Sequence, residues 1–304
     1  MQILIVGLGS IAKKHIDAIR KLNPNVKIYA LRRNNSSSSE QHVQSIYNIT
    51  ELENETLDFA IISNPTAAHL DTIQELSHLS VPLFIEKPLF SEISTESENL
   101  VNFIDNSNIL TYVACNLRFL NCLIYLREKI TKERINEVNV YCGSYLPNWR
   151  PGVDFRKVYS ANKEMGGGVH IDLIHELDYV YWLFGKPNRS HSFFSNHSSL
   201  DISAFDYANY LWTYKEFSAS IILNYYRKES KRTIEIVTDE GVYMADLLEN
   251  KVFRDGETIF ESDQKIIDTY DAQMQFFIEN IINNKKNFNS ISEANTILRL
   301  CMQD

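Results

Sequence analysis

The chain has 304 residues, 44% hydrophobic and 23% charged, with 30 Lys and Arg against 39 Asp and Glu. That mixture excludes a disordered, collagen-like or disulfide-stapled chain, and the length predicts two domains of roughly 150 residues each. A net charge of −9 with no basic run argues against a nucleic-acid partner, and no stretch reaches the ~18 uninterrupted apolar residues of a membrane span.

The chain runs from Met1 straight into the apolar Gln2–Val6, so no secretory leader is expected. Gln2–Val6 reads as a strand buried on both faces, and Ile11–Leu22 follows with helical spacing. Val26–Leu31 is the next strand, followed by a polar loop over 32–40 that contains Ser36–Ser39. Phe59–Ser63, Leu83–Glu86 and Ile109–Ala114 are further strands, and Thr95 with Glu98 is a capping-box candidate opening a helix to about Asp105. Strand alternating with helix predicts a doubly wound parallel sheet over residues 1–115.

After residue 115 the rhythm changes. A helix over Leu120–Ile130 precedes a strand ending at Tyr145, then a loop rich in Pro and Gly, then a helix opened by Gly166-Gly167-Gly168 and ending near Phe184. Ser190–Phe194, Ala204–Tyr214, Ser218–Tyr226, Thr233–Thr238, Val242–Asp246 and Lys251–Phe253 read as consecutive strands, which predicts a large, mostly antiparallel sheet in an α+β domain over 116–304. Two helices, Tyr270–Ile282 and Ser292–Cys301, close the chain, and the last is a candidate to pack back on the first domain. Cys115, Cys122, Cys142 and Cys301 share no CxxC spacing and read as reduced thiols of a cytoplasmic protein.

Glycine is scarce, and five of the ten lie in two places, Gly7 with Gly9 and the triplet at 166–168. Gly7-Leu8-Gly9-Ser10-Ile11-Ala12 follows the first strand and opens the first helix. In that context Gly7 permits the tight turn, Gly9 lets a pyrophosphate approach, Ser10 and Ile11 offer helix N-terminal N–H groups, and Ala12 permits close packing. About 20 residues farther on, where NAD sites carry Asp or Glu for the ribose 2′-hydroxyl, stand Arg32 and Arg33. A guanidinium there suits a 2′-phosphate, with Ser36–Ser39 as further donors, so NADP is expected in preference to NAD.

Asn64-Pro65-Thr66 with His69 comes after the third strand, Glu86-Lys87-Pro88 after the fourth, and Asn116-Leu117-Arg118-Phe119 at the domain junction. Gly166-Gly167-Gly168-Val169-His170-Ile171-Asp172-Leu173-Ile174-His175 follows. In this order, across the whole chain, the set resembles the Gfo/Idh/MocA family, that of glucose–fructose oxidoreductase and inositol dehydrogenase. The resemblance implies a Rossmann domain, a second domain with an open sheet that often forms subunit interfaces (hence a homodimer or homotetramer), and NAD(P)-dependent chemistry at a sugar or cyclitol carbon. Cofactor contacts are then expected from Ser63, Asn64, Pro65, His69, Glu86, Lys87 and Asn116. The acid usual in the family after the second strand is replaced by Arg32.

Hydride transfer at a carbinol carbon needs a group that moves the hydroxyl proton. Lys87 stands at the carboxyl end of a parallel strand, where doubly wound sheets bind ligands. Asp172 and His175, three residues apart on one expected helix, share a face. His170 and His175 are five apart and do not stack as a metal-ligand pair, so no metal is expected. In the family, residues like Lys87 and His175 share the acid–base work. The loop Tyr145–Ala161 carries Trp149, Arg150 and Arg156 beside this helix. With Lys87, Arg118, Asp172 and His175 these make a candidate surface for an anionic sugar or sugar nucleotide, although Trp149 plugging the core is an equal alternative. Two rival readings remain: a dinucleotide-binding sensor without turnover, against which the Lys87, Asp172 and His175 set argues, and a reductase of a non-sugar substrate.

Overall fold

The computed structural model describes residues 1–32, 40–283 and 287–302. It forms two compact units, Met1–Asn116 with Tyr270–Leu298, and Leu117–Thr269 with Arg299–Asp304. In the first unit the elements are β1 (Gln2–Val6), α1 (Ser10–Leu22), β2 (Lys27–Leu31), β3 (Val43–Ile46), β4 (Phe59–Ile62), α2 (His69–Ser77), β5 (Leu83–Glu86), α3 (Thr95–Asn106) and β6 (Thr111–Ala114). The strands make a six-stranded sheet, all parallel, in the order β3-β2-β1-β4-β5-β6. β4, β5 and β6 are buried along their whole length, as parallel strands covered on both faces must be. Because β1 lies between β2 and β4, the strand order reverses there, and the carboxyl ends of β1, β4 and β5 share one edge.

Two local details differ from the sequence expectation. β3 lies just beyond the loop read over 32–40, in a stretch to which the sequence pattern assigns no element. It is only four residues long, and pairing with β2 rather than its own pattern makes it a strand. The cap of α3 is Ser94 with Ser97, one residue ahead of Thr95 and Glu98: each serine side chain bonds the other's backbone N–H.

The second unit opens with α4 (Asn121–Ile130) and β7 (Ile135–Tyr145). Short 3₁₀ turns then lead to α5 (Val169–Asp172) and α6 (His175–Phe184). The expected single helix is therefore two. Leu173 leaves helical geometry at φ −99°, ψ 28°, so Asp172 ends α5 and His175 begins α6. Leu and Ile are ordinary helix formers, so local propensity gave no sign of this break. The strands β8 (Arg189–Ser195), β9 (Tyr207–Thr213), β10 (Ser218–Asn224), β11 (Tyr226–Thr238), β12 (Val242–Asp246), β13 (Lys251–Arg254) and β14 (Glu257–Glu261) join β7 in an eight-stranded sheet. Its order is β14-β13-β12-β11-β7-β10-β9-β8, antiparallel except for the β7–β10 pair. One face buries Val138, Val140, Tyr210, Trp212, Ile221, Ile234 and Ile236.

The chain closes with α7 (Thr269–Phe276), a π-helical stretch over Phe277–Asn283 and α8 (Ile291–Met302). Tyr270–Leu298 belongs to the first unit, where Phe277 sits edge-on to Phe59 and Phe84 at 5.0 and 5.2 Å. In the second unit the buried hydroxyl of Tyr210 donates to the carbonyl of Cys301 at 2.7 Å.

Two buried ion pairs hold α6. Arg118 donates from Nε and Nη2 to the two carboxylate oxygens of Asp178 at 2.9 and 2.7 Å. Arg232 on β11 reaches Glu176 at 2.5 and 3.2 Å. Removing one partner of such a pair leaves an uncompensated buried charge, so Asp178→Ala should lower the stability of this unit by about 3–5 kcal/mol. Replacing both Arg118 and Asp178 with leucine should recover most of that loss. Urea denaturation followed by circular dichroism measures both; a cost of the single variant no larger than that of the double one would contradict the assignment.

Candidate active site

The first unit supplies a strand-end edge. Gly7 has φ +86°, and a Cβ there would lie 2.7 Å from the backbone of Asn64, so glycine is required on two counts. The turn after β4 thereby presses onto the turn after β1, and Ser63 fastens it by donating to the carbonyls of Val6 and Gly7, each at 3.2 Å. Gly9 caps α1 with no side-chain bond and no acid in the first turn, and a Cβ at Gly9 would meet nothing within 4 Å. Exposed Ser10 and half-buried Ile11 begin a helix whose N–H groups and positive dipole end suit a pyrophosphate.

Beside it lies a cleft of about 390 Å³ lined by Val6, Leu31, Arg32, Tyr47, Asn48 and Asn64 among others. Arg32 donates from Nη1 to Ser45 Oγ at 3.4 Å. Asn64 gives its amide N–H to Thr72 at 2.7 Å, while its buried Oδ1 takes no hydrogen bond. That orphaned acceptor, the uncapped helix and the guanidinium fit a dinucleotide of the NAD(P) type, for which Asn64 would offer an acceptor and Arg32 a cation. Arg33 and Ser36–Ser39 lie outside the described residues. Ser45, Tyr47 and Asn48 were missed from the sequence because β3 was; the Asn48–Glu51 capping box was the available signal.

Lys87 is half-buried at the end of β5 and is joined to Pro88 by a cis peptide. Glu86 is buried and its carboxylate is engaged within the unit: Oε1 lies 2.5 Å from His15 Nε2, and Oε2 accepts the Lys87 N–H at 3.2 Å. The His69 side chain is engaged in the same way. It is 1% exposed, and its ring nitrogens face the carbonyls of Leu89 and Asn64 at 3.0 and 3.1 Å. Burial holds its pKa below the usual value, opposed in part by those carbonyls. Its ring lies between the segments that carry Asn64 and Leu89. Pro65 is exposed beside Asn64, and Asn116 is buried just past β6.

In the second unit Asp172 is half-buried and accepts the hydroxyl proton of Tyr225 at Oδ2. Burial, reinforced by the Asp172 charge, raises the Tyr225 pKa well above its usual value, and the same causes push Tyr159 up to about 12. Both phenols are neutral donors near pH 7. Trp149 is 40% exposed, stands edge-on to Tyr225 at 5.3 Å, and donates from Nε1 to Ser144. It is not a core plug. Trp149, Tyr225 and Asp172 therefore form a continuous group, with Tyr225 the member the sequence did not reveal, since it lies in a strand-end run of aromatics.

The glycine triplet has a packing reason. A Cβ at Gly167 would lie 2.0 Å from the carbonyl oxygen of Tyr159, so the end of the 145–161 loop sits directly on the backbone before Asp172. Arg150 and Arg156 are exposed on that loop, with Arg156 over the Phe155 ring at 4.5 Å. Arg118, expected to face substrate, is 2% exposed with its fork on Asp178 and is corrected to a structural role. His175 is half-buried at the first position of α6.

A model of an oxidoreductase family with an NAD-binding Rossmann fold matches residues 1–113, and the C-terminal domain model of the same GFO/IDH/MocA family matches 123–244. The scyllo-inositol 2-dehydrogenase (NADP(+)) IolW of Bacillus subtilis is 24% identical over 144 residues, 47% of this chain. The match spans only 39% of that relative's length. Among solved structures, UDP-N-acetylglucosamine 3-dehydrogenase GnnA from Acidithiobacillus ferrooxidans aligns with a TM-score of 0.81 at 17% identity, covering 100% of this chain and 96% of the other. The WlbA dehydrogenase from Bordetella pertussis, solved in complex with NADH and UDP-GlcNAcA, aligns at 0.78 and 16%, covering 99% and 93%. At such identities the likeness is one of fold. With both domain models matched in order over a doubly wound sheet and a large mixed sheet, the chain belongs to the Gfo/Idh/MocA oxidoreductase family.

Proposed function

We propose that this protein is an NADP-preferring dehydrogenase or reductase acting at a CH–OH or carbonyl carbon of a sugar, and that the sugar is anionic: a phosphate, nucleotide or carboxylate derivative. The observation that carries the redox reading is one strand edge of the first unit, where an uncapped helix N-terminus, a cleft holding Arg32 and the half-buried Lys87 occur together. When bound, the nicotinamide supplies or accepts the hydride. Lys87 and His175 share the movement of the hydroxyl proton. Asp172, held by the Tyr225 hydroxyl, grips a substrate hydroxyl or orients His175. The anionic preference is supported by the exposed Trp149, Arg150 and Arg156 in a chain that is net negative, and by the nucleotide sugars named for two structural neighbours.

The eight-stranded sheet supports assembly into a homodimer or homotetramer. Its face opposite the core carries Phe193, Leu211 and Met244 at 62%, 45% and 36% exposure, on one side by register. Among the described residues no helix is long and apolar enough to cross a membrane. Four buried cysteines outside any disulfide suit a reducing, cytoplasmic setting; burial pushes the Cys122 thiol up to about 12.

Three outcomes test this function. NADPH should bind more tightly than NADH by about 1.5–3 kcal/mol, the strength of a charge-assisted contact, and Arg32→Ala should abolish the difference. Fluorescence titration reads both, and equal affinities in the wild type would end the NADP assignment. Lys87→Met keeps the packing of the stem, so cofactor should still bind while turnover falls ~10²-fold or more. His175→Asn should lower turnover with an altered pH profile; near-normal rates in both variants would remove them from catalysis. Arg150→Ala and Arg156→Ala should raise KM for UDP-N-acetylglucosamine or another charged sugar and leave NADPH binding unchanged. Equal turnover of free inositol, indifferent to either arginine, would contradict the anionic preference.

A further inference from the structure

Lys87 is flanked by two buried histidines of the same unit. On one side His15, fully buried on α1 between Phe84 and Tyr270, places Nε2 2.5 Å from Glu86 Oε1. The other oxygen of that carboxylate accepts the Lys87 backbone N–H at 3.2 Å. On the other side His69 Nδ1 faces the carbonyl of Leu89 at 3.0 Å, two residues beyond Lys87. The carboxylate of Glu86 can only accept, so the contact at Nε2 is an N–H of His15 donating to Glu86, while the buried Nδ1 has no partner. A buried carboxylate is retained only when its oxygens are satisfied, and here they are satisfied by α1 and by the segment that carries the lysine.

We propose that His15 is a positioning residue for Lys87. Its bond to Glu86 fixes the Lys87 backbone against α1, the helix whose N-terminus follows Gly7 and Gly9, so that one rigid element sets both the phosphate-binding turn and the place of the ammonium group. His69 fixes the other end of the same segment. The effect on turnover rests on Lys87 doing the acid–base work proposed above; the effect on backbone order does not. Packing alone would make any bulky apolar residue an adequate substitute, whereas the clasp needs an N–H at the position of Nε2. Glutamine places its amide nitrogen near that position and phenylalanine fills the volume without it.

The experiment compares the wild type with His15→Phe and His15→Gln in the full chain. Three quantities are read: peptide-resolved deuterium uptake over residues 84–89, NADPH affinity by fluorescence, and kcat and KM on whichever of UDP-N-acetylglucosamine and scyllo-inositol the wild type turns over. In His15→Phe the uptake rate at Lys87 should rise roughly tenfold. A displaced catalytic group should lower kcat ~10–100-fold, with NADPH affinity and KM within about threefold. His15→Gln should restore uptake and kcat most of the way. If His15→Phe does not fold, Glu86→Gln carries the same expectation, since the amide keeps one acceptor oxygen and puts a donor NH2 where the other partner's N–H needs an acceptor. Unchanged uptake at Lys87 in the folded variant, or a glutamine variant no better than phenylalanine, overturns the proposal. Should Lys87→Met retain turnover, the acid–base reading fails by itself, and the uptake comparison still decides whether the clasp exists.

Discussion

The close approach of two turns at Gly7 is the constraint on which the first unit depends. Parallel strands buried on both faces can offer a ligand nothing but their ends, and at the reversal of strand order those ends lie side by side. With the Asn64 backbone 2.7 Å from where a Cβ of Gly7 would stand, no other residue lets the turns after β1 and β4 close. Ser63 completes the closure by donating to the carbonyls of Val6 and Gly7. The contact holds the turn that opens α1 beside Asn64, which lines one cleft with Arg32, while pairing with β4 brings the end of β5 and Lys87 to the same edge of the sheet.

The second unit solves a different problem. α6 has to lie on a large sheet while carrying Glu176 and Asp178, both fully buried, and each is neutralised by its own arginine. Such pairs add little net stability over well-packed apolar residues, but breaking one is costly, so they restrict the helix to a single seating. α5 is set by another device, the passage of the Tyr159 carbonyl over Gly167. The two devices fix Asp172 and His175 separately. Short helices hold Asp172 and His175, while Trp149, Arg150 and Arg156 are exposed on the loop before them.

Buried histidines are used structurally in the first unit. His69 is held below its usual pKa by burial and faces two carbonyls; His15 meets a carboxylate. Neither touches open space, and both end on the segment around Lys87. A pair of internal straps on one short stretch of chain is the kind of support a precisely placed amine requires.

Much of this was legible in the sequence. Apolar runs of strand length with helical stretches between them gave the parallel sheet, because burial on two faces leaves no other pattern. The spacing of Gly7, Gly9 and Ala12 pointed to a dinucleotide-binding Rossmann turn, which the matching family model bears out as an NAD-binding fold, since each is a demand on one position. Long-range partners were not legible. Arg118, His69 and Glu86 look like ligand contacts in one dimension, and only folding shows each already engaged by Asp178, by two backbone carbonyls, and by His15. The short β3 and the break at Leu173 were hidden for the same reason. Local propensity and periodicity are properties of neighbours in sequence, and so the sequence by itself determined most of the elements, the fold class and the family. Which polar groups are consumed by the core and which remain for chemistry was decided by distances such as that between His15 and Glu86, 71 residues apart along the chain and 2.5 Å apart in the fold.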